Sequence, residues 1–286
     1  MANLKNIRTQ IKSVKSIQQV TKAMKMVSAA KLRKSQERME QARPYADRLQ
    51  NLISNLINDV DRSILNLLNE RSEVNKRGFI VVTGDRGLAG SFNTNIIKKA
   101  EAEINAFGKD KSFLFCIGKK GYEHFKKRDY NVINHYVDFW SDLTYNEAMN
   151  IGKDISSAFI NKDVDEVNVI FNYFKNVGTQ EVIYNTLLPL NFDNTEDKIS
   201  SDVIFEPSKI EIVKSVVPKY LNTQVWKYLL ESFASEQAAR MMAMENATEN
   251  AKEMINDLNL EFNKARQTAI TTEMLEIVGG AEALSN

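Results

Sequence analysis

The sequence predicts a long antiparallel two-helix coiled coil, formed by the N- and C-terminal segments, with a small α/β domain between them. Three observations carry this prediction. No glycine precedes Gly78, and only Pro44 interrupts that segment; residues 219–278 contain neither residue type. Because glycine and proline most often end regular helices, such segments are typical of long helices, and one of sixty residues would span about 90 Å. Between them, strand-like and helix-like runs alternate.

The N-terminal segment has its apolar residues in steps of three and four, which is the spacing of one helix face. They are Leu4, Ile7, Ile11, Val14, Ile17, Val20, Met24 and Val27. We expect one apolar stripe along the first helix, and such a stripe needs a partner face.

The C-terminal segment carries a similar stripe that begins with Leu229 and Phe233. Its later members approximate a heptad seam: Met244, Ala247, Ala251, Ile255, Leu258, Phe262, Ala265 and Ala269. Small residues such as Ala238 would let two helix backbones approach closely. The two helices are expected to pack against each other and to run antiparallel if the middle of the chain returns near its point of departure.

The middle of the chain predicts a Rossmann-like α/β domain, because apolar strands alternate with helices. The predicted strands are 78–83, 113–117, a short one at 132–133, 167–171 and 181–187. The predicted helices are 94–106, 119–127 and 146–160, and polar residues 191–201 indicate a loop. We expect the N-terminal long helix to occupy residues 1–75, the α/β domain 76–206 and the C-terminal long helix 207–286.

The net charge of +1 hides an asymmetry between the two ends. Residues 1–36 contain nine basic residues and no acidic one, whereas ten acidic residues face six basic ones from Lys219 onward. A basic coiled-coil protein that binds nucleic acid is therefore the alternative reading. The absence of aromatic residues from 1–44 weakens it for single strands. No apolar run approaches the roughly 18 residues that span a bilayer, so any membrane association is expected to be peripheral.

Chemistry is sparse in this sequence. Residues 84–91 form a glycine-rich turn between a strand and a helix, but the glycines at 84, 87 and 90 match neither a P-loop nor a dinucleotide fingerprint. The two histidines do not stand at metal-ligand spacing, and Cys116 is most simply a small buried apolar residue. We expect no catalytic residues, no metal, no cofactor and no enzyme activity of the chain alone.

Three separated motifs give the chain a family resemblance. Residues 21–34, residues 235–251 and residues 263–284 each resemble a signature of the γ subunit of bacterial-type F-type ATP synthases. The turn that contains Asp85, Arg86 and Gly87, together with Asn93, resembles a fourth. One departure is Ala89, where many relatives have cysteine, and it is expected to affect packing only.

The resemblance implies a central-stalk rotor of a proton-translocating ATP synthase, which transmits torque from the membrane c-ring to the catalytic α/β ring and has no active site. The implied partners are the α, β and ε subunits and the c-ring, with one γ per complex and no nucleic acid. The implied location is peripheral, on the cytoplasmic face of the bacterial inner membrane. The coupling ion and the size of the c-ring do not follow from the sequence.

The same resemblance assigns roles to individual residues, each with an ordinary seam or surface role as the alternative. The implied contacts with the α/β ring are Met24, Lys25, Arg240, Arg266, Gln267, Thr271 and Glu273. The implied foot residues near the c-ring are Phe205 and Glu206, and the implied bearing tip contains Ile277, Val278 and Leu284.

Overall fold

A computed structural model describes residues 2–57, 65–192, 206 and 208–285; of residues 2, 3 and 282–285 it describes only the helical backbone. The chain divides into two compact units, Met1–Ser28 with Met241–Asn286, and Ala29–Arg240. Two helices contribute residues to both units. Helix α1 covers Ala2–Ile57 and helix α5 covers Lys209–Ser285.

The first unit consists of the N-terminal part of α1 and the C-terminal part of α5, which pair antiparallel. The hydroxyl oxygens of Thr21 and Thr248 lie 2.7 Å apart, and one turn further along α1 Lys25 forms an ion pair with Glu245. As the residue number rises along α1, the number of the contacting residue on α5 falls, so the two helices run in opposite directions. The predicted antiparallel pairing is confirmed.

The seam of α1 in this unit differs from the predicted stripe. Its buried and half-buried positions are Leu4, Ile7, Ile11, Val14, Gln18, Thr21, Met24, Lys25 and Ser28, and all except Met24 follow one another in alternating steps of three and four. The predicted stripe is therefore wrong at Ile17, Val20 and Val27, which are 55%, 58% and 56% exposed, whereas its member Met24 is half-buried. After Val14 the apolar residues Ile17 and Val20 follow in two steps of three. A heptad seam instead takes a step of four and then a step of three, so it reaches the polar Thr21.

The seam of α5 follows its predicted stripe. Met244, Ala251 and Ile255 are buried, and Leu258 and Phe262 are half-buried. The spacing of the apolar residues on α5 approximates a heptad without a break, so the sequence pattern and the helix contact coincide.

The second unit contains a five-stranded mixed sheet. Its strands are β1 (Arg77–Val82), β2 (Ser112–Ile117), β3 (Val132–Tyr136), β4 (Glu166–Asn176) and β5 (Thr179–Leu188). The spatial order is β3-β2-β1-β4-β5, in which the first four strands are parallel and β5 pairs antiparallel with β4. Helices α2 (Phe92–Phe107), α3 (Lys119–Lys126) and α4 (Tyr145–Ile160) connect the strands.

Two apolar cores cover the two faces of the sheet. Along β1 the side chains of Phe79 and Val81 enter a core with α2 and α3, whereas Ile80 and Val82 enter the other, with α4 and parts of α1 and α5. This division follows from the twofold alternation of side chains along a strand. Because both faces are buried, β1 appears in the sequence as a continuous apolar run.

The predicted fold class is confirmed, and each predicted strand and helix of the middle is present. The structure describes helix α1 as far as Ile57, however, and residues 65–76 contain only turns, bends and irregular backbone, so helix does not fill the whole of the predicted 1–75. Most of the predicted loop 191–201 lies outside the described residues.

Within the second unit α1 and α5 are also in contact. Leu32 packs with Ala234 and Ala238, and the Ser35 hydroxyl donates a hydrogen bond of 3.3 Å to the carbonyl of Leu230. The alanine side chains are small enough to let the two backbones approach, as the sequence predicts for Ala238.

Candidate functional site

An apolar stripe on α1 lies beside the seam and is not covered by α5. We call Ile17, Val20, Met24 and Val27 the exposed stripe; they follow one another in steps of three, four and three and so share one helix face. Met24 is half-buried, and the other three are more than half exposed. A contiguous exposed apolar face commonly marks an interaction site.

Lys25, which the sequence predicts to contact a partner ring, also belongs to the helix pair. Its ammonium group forms an ion pair with Glu245 across the seam, and both side chains remain more than one third exposed. Water screens a pair in this position, so it contributes little stability. Lys25 can therefore join the two helices and still meet an outside partner.

The C-terminal end of α5 extends past the start of α1. Since Thr21 lies opposite Thr248 and both helices rise equally per residue, Ala2 falls opposite a position close to Gln267. All residues from 270 to 281 are exposed, including Ile277 at 66% and Val278 at 60%. We call residues 270–281 the overhang. The side chain of Leu284 lies outside the described residues.

The remaining predicted contact residues of the first unit are at the surface. Arg266, Gln267, Thr271 and Glu273 are exposed, and the Thr271 hydroxyl donates a hydrogen bond of 3.0 Å to the carbonyl of Gln267. They occupy the last part of the seam and the start of the overhang.

Of the two predicted foot residues, the structure describes one. Glu206 is exposed and lies in a bend shortly before α5. Phe205 lies outside the described residues.

The glycine-rich turn at residues 84–91, which we call the clamped turn, is closed by an asparagine side chain. Oδ1 of Asn93 accepts a hydrogen bond of 2.9 Å from the backbone N–H of Gly84, and Nδ2 of Asn93 donates one of 3.2 Å to the carbonyl of Arg86. The Asn93 side chain thus satisfies one backbone donor and one backbone acceptor of the turn. Because the Gly84 N–H already donates to Asn93, it is not free to bind a phosphate.

Asp85 joins the clamped turn to two other connections of the domain. Its Oδ1 accepts a hydrogen bond from the backbone N–H of Lys119, at the start of α3, and its Oδ2 accepts one from the N–H of Asp138, after β3; both are 2.8 Å long. A carboxylate at the first residue of α3 is also favoured by the helix dipole.

A buried ion pair on α5 fixes the other side of the clamped turn. Nη2 of Arg240 lies 2.5 Å from Oε1 of Glu236 and also donates a hydrogen bond of 3.2 Å to the carbonyl of Gly87. The two side chains are only 11% and 5% exposed. Arg240 therefore makes internal contacts in addition to any contact with a partner.

The Glu236 carboxylate reaches the start of the clamped turn. A Cβ atom added to Gly84 would stand 2.7 Å from Oε1 of Glu236. Burial raises the pKa of this carboxyl above its ordinary value; Arg240 opposes the shift, and the nearby Asp85 adds to it.

Helix α5 fills the place where a domain of this topology binds ligands. In open α/β sheets that place is the crevice beyond the carboxyl ends of the strands where the strand order reverses, here between β1 and β4. Glu236 reaches the turn after β1, and the Ser235 hydroxyl donates a hydrogen bond of 3.1 Å to the carbonyl of Asn172 on β4. The chain's own helix occupies the crevice.

The cysteine and the histidines of the described residues have ordinary structural surroundings. Burial raises the pKa of Cys116 to about 12, so its thiol stays protonated near neutral pH. Nε2 of His124 lies 2.8 Å from Oε1 of Glu101, near the surface. Within the ranges that the structure describes, no group of three His, Cys, Asp or Glu side chains could hold a metal ion.

Sequence analysis missed Glu236, whose buried carboxylate meets Arg240 and the clamped turn. The one sequence signal for Glu236 is its spacing of four residues to Arg240, and this spacing is common on exposed helix faces.

In a search limited to the described residues, no helix combines the length and apolar character needed to cross a membrane.

Exposed helix faces, together with an α/β domain whose ligand crevice is filled by its own helix, are typical of a subunit that binds partner proteins. Comparison with known proteins identifies the family of the chain. The ATP synthase family profile matches residues 3–284. The chain is 49% identical to the ATP synthase γ chain of Prosthecochloris aestuarii over 291 residues and to that of Chlorobium phaeobacteroides over 289, with 99% of both chains covered each time. The chain belongs to the γ-subunit family of F-type ATP synthases.

Solved structures agree on the fold. A chain from the mitochondrial ATP synthase of Euglena gracilis, in an OSCP, F1 and c-ring assembly, aligns with a TM-score of 0.71 at 18% identity, covering 99% of this chain and 95% of that one. A chain from the central stalk and c-ring of the Tetrahymena thermophila mitochondrial enzyme aligns with a TM-score of 0.62 at 24% identity, covering 80% and 99%. As a γ subunit, the chain is a central-stalk rotor subunit of an ATP synthase, and no comparison supports the nucleic-acid alternative.

Proposed function

We propose that this γ subunit transmits torque from a membrane c-ring to the catalytic α/β ring of a proton-translocating ATP synthase, without an active site of its own. The observation that carries the proposal is the antiparallel helix pair with an exposed stripe and an overhang. Both surfaces belong to long helices and present apolar side chains, among them Ile17, Val20, Ile277 and Val278, that the described part of the chain leaves exposed.

The helix pair suits the transmission of torque. A single helix in water frays and bends, whereas two helices that share a seam restrain each other. Here the Thr21–Thr248 hydrogen bond and the Lys25–Glu245 ion pair cross the seam at neighbouring turns. Such contacts oppose sliding of one helix along the other.

The exposed stripe and the exposed residues of α5 are the proposed contacts with the α/β ring. Met24 and Lys25 lie beside the exposed apolar side chains of Ile17 and Val20, so an apolar and a charged surface adjoin on α1. On α5 the proposed contacts are Arg266, Gln267, Thr271 and Glu273. A rotor with unequal sides can favour a different conformation in each catalytic subunit that it faces.

Arg240 remains a proposed contact residue through the exposed fraction of its side chain. Glu236 and the Gly87 carbonyl hold its guanidinium in one position, so a partner loop would meet a fixed cation. Fixing a charged group before binding reduces the ordering cost of the contact.

The overhang is the proposed bearing tip. Ile277 and Val278 lie on a helix end that no other described helix pairs with, and an isolated helix of this length is marginal in water. An apolar sleeve formed by the ring would cover these side chains and allow rotation, since apolar contacts are not directional.

The α/β domain is the proposed foot, with Phe205 and Glu206 near the c-ring and the ε subunit beside it. This places the chain peripherally on the cytoplasmic face of the bacterial inner membrane, held through its partners. The crevice filled by Glu236 supports a role in assembly over a role in nucleotide binding.

The test is purification of the complex from detergent-solubilised source membranes through an affinity tag on this chain, followed by native mass spectrometry. We expect one copy of this chain for each α/β ring, together with ε and the c-ring. Vesicles with the reconstituted complex should pump protons when ATP is added, and the chain alone should not hydrolyse ATP. Recovery of nucleic acid instead, or ATP turnover by the chain alone, would contradict the proposal.

A further inference from the structure

A cavity in the second unit has a lining that the rotor function does not explain. It measures about 390 Å³ and lies between α5, the end of β5 and the irregular residues 70–74, and we call it the α5 cavity. Val74, Leu187, Pro189 and Leu190 give part of its lining an apolar surface. Ligand pockets of proteins commonly measure about 300 to 1,000 Å³, so the α5 cavity can hold a small organic group.

One part of the lining consists of three polar side chains of one helix. Tyr220, Gln224 and Tyr228 follow one another in steps of four on α5, so they share one helix face. Their hydroxyl and amide groups make no hydrogen bond to a described residue. Burial raises the pKa of Tyr220 and of Tyr228 to about 12, so both phenols keep their protons at neutral pH.

Tyr220 is the observation that points to a ligand. It is only 8% exposed, and its ring packs on that of Phe192 with centroids 4.9 Å apart. Among the described residues, the polar side-chain atoms that are sealed from solvent without a partner include Nε of Arg71 but not the Tyr220 hydroxyl, so this hydroxyl can be reached from the cavity. Leaving a nearly buried hydroxyl without a partner is costly, so such groups usually bind a ligand or water.

Two carboxylates in the rest of the lining have uncommitted oxygen atoms. Glu70 is exposed, and no described residue forms an ion pair with it. Oδ2 of Asp165 accepts hydrogen bonds of 2.9 Å from the backbone N–H groups of Asn75 and Lys76, whereas Oδ1 has no hydrogen bond to a described residue. Ionised carboxylates only accept hydrogen bonds, so these oxygen atoms need a donor.

The described lining also has an excess of negative charge. Its third carboxylate, Glu166, forms an ion pair with Arg77, whose Nε lies 2.9 Å from Oε1. Its one cation, Arg71, lies over the ring of Phe159 and donates a hydrogen bond of 3.1 Å to the carbonyl of the same residue. The two carboxylates with uncommitted oxygen atoms are therefore opposed by one guanidinium, which is already bound to α4.

We propose that the α5 cavity binds an alkylammonium group, carried either by a free organic amine or by a lysine side chain of a partner subunit. An ammonium group only donates hydrogen bonds, and the oxygen atoms of Tyr220 and Gln224 accept them. Glu70 and Asp165 balance its charge, and the apolar lining covers the alkyl chain. The site lies within one unit of the free chain, so the proposal does not depend on the rotor function.

The test uses the full chain with ¹³C-labelled tyrosine rings, in which the NMR signals of Tyr220 and Tyr228 report on the cavity. Tyr220→Phe and Tyr228→Phe assign these signals. The probe is n-butylammonium, which reproduces the lysine side chain; 1-butanol is its neutral analogue and butyrate its anionic analogue, all at constant ionic strength. We expect saturable shifts of both signals with n-butylammonium and roughly tenfold weaker binding of the two analogues.

Variants test the individual acceptors. Tyr220→Phe keeps the ring beside Phe192 and removes the hydroxyl, so n-butylammonium affinity, read from Tyr228, should fall roughly tenfold. Glu70→Gln should weaken binding as well, whereas the matched control Glu73→Gln changes an exposed carboxylate of the same segment outside the lining and should bind as the parent does. Shifts without saturation, equal affinity for 1-butanol, or full affinity in both Tyr220→Phe and Glu70→Gln would overturn the proposal.

The assembled complex distinguishes the two sources, with n-butylammonium that carries a photoreactive diazirine. Labelling of the peptide with Tyr220 in the complex, suppressed by unmodified n-butylammonium, identifies a free amine as the ligand. Loss of labelling on assembly, together with carbodiimide coupling of Glu70 or Asp165 to a partner lysine, identifies the partner side chain. Loss of labelling without such coupling would overturn the proposal for the assembled enzyme.

Discussion

Nη2 of Arg240 lies 2.5 Å from Oε1 of Glu236, one turn earlier on α5, and the same nitrogen donates a hydrogen bond to the carbonyl of Gly87. A pair spaced by four residues thus reaches a turn of the α/β domain that is distant in sequence. Because both side chains are nearly buried, removal of one partner leaves an uncompensated charge.

Arg240→Ala should therefore reduce the free energy of unfolding by about 3 kcal/mol, as measured by denaturant titration. The matched control is Arg33→Ala, which breaks another Arg–Glu pair at the same spacing, with Glu37, on an exposed face of α1. That control should have little measurable effect. Equal losses in the two variants would refute a buried role for the Arg240 pair.

Gly84→Ala should destabilise the domain by about 1 to 3 kcal/mol, because its Cβ would stand 2.7 Å from Oε1 of Glu236. The carboxylate would have to shift and would weaken its contact with Arg240. Gly87→Ala, in the same turn, meets no atom within 4 Å and serves as the control. Thermal unfolding of the two variants should differ, and a Gly84→Ala variant as stable as Gly87→Ala would contradict this account.

The Thr21–Thr248 contact should be measurable as a coupling energy of about 1 kcal/mol in a double-mutant cycle. Thr21→Val and Thr248→Val each keep the side-chain volume but leave the other hydroxyl without its cross-helix partner. The double variant should cost less than the sum of the single ones. Thr9→Val, whose hydroxyl contacts only the carbonyl of Lys5 on its own helix, should show no coupling with Thr248→Val.

Met24→Lys should lower the number of protons pumped per ATP hydrolysed more than it lowers stability. The new cation would lie beside Lys25 on the proposed ring-contacting face and would pair with partner carboxylates in some rotary states but not in others. Proton pumping and ATP hydrolysis in reconstituted vesicles give the ratio. The control Met149→Lys adds the same charge at an exposed position of α4 in the α/β domain and should leave the ratio unchanged. An unaltered ratio for Met24→Lys would argue against this contact.

Glu231→Gln should become more stable relative to the parent chain as the pH rises. Burial raises the pKa of Glu231, although the backbone N–H of Phe174 donates a hydrogen bond to Oε2 and opposes the shift. A raised folded-state pKa gives a contribution that is full below the unfolded value and is lost as the pH rises through the folded value. Glutamine does not ionise and avoids this loss. Unfolding titrations from pH 4.5 to 8 should show the widening difference, and a difference that stays constant across this range would contradict the account.

The α/β domain could be predicted from the sequence because its signals are local. Residues 113–117 form an apolar run that matches β2 almost residue for residue, since a parallel strand buried on both faces needs such a run. The seam of α1 could not be predicted in full, because Thr21 and Ser28 are buried in it while the apolar Ile17 is exposed. Hydrophobicity alone assigns the wrong face there.

The clamped turn could be found as a motif, but its contacts could not. Asp85 binds the backbone N–H groups of Lys119 and Asp138, and Arg240 binds the carbonyl of Gly87. These partners are brought together only by the sheet topology and the course of α5. Every residue except proline has the same backbone N–H and C=O groups, so a sequence pattern cannot show which of them a side chain will bind.

The exposed stripe and the overhang have a consequence for the life of this subunit before it is assembled. A newly made copy presents Ile17, Val20 and the apolar side chains of residues 270–281 to solvent, where they invite self-association and capture by chaperones or proteases. Cells would therefore gain by matching its synthesis to that of its partners, and surplus copies should be short-lived. The same surfaces proposed to drive rotation would serve as a degradation signal whenever the complex is incomplete.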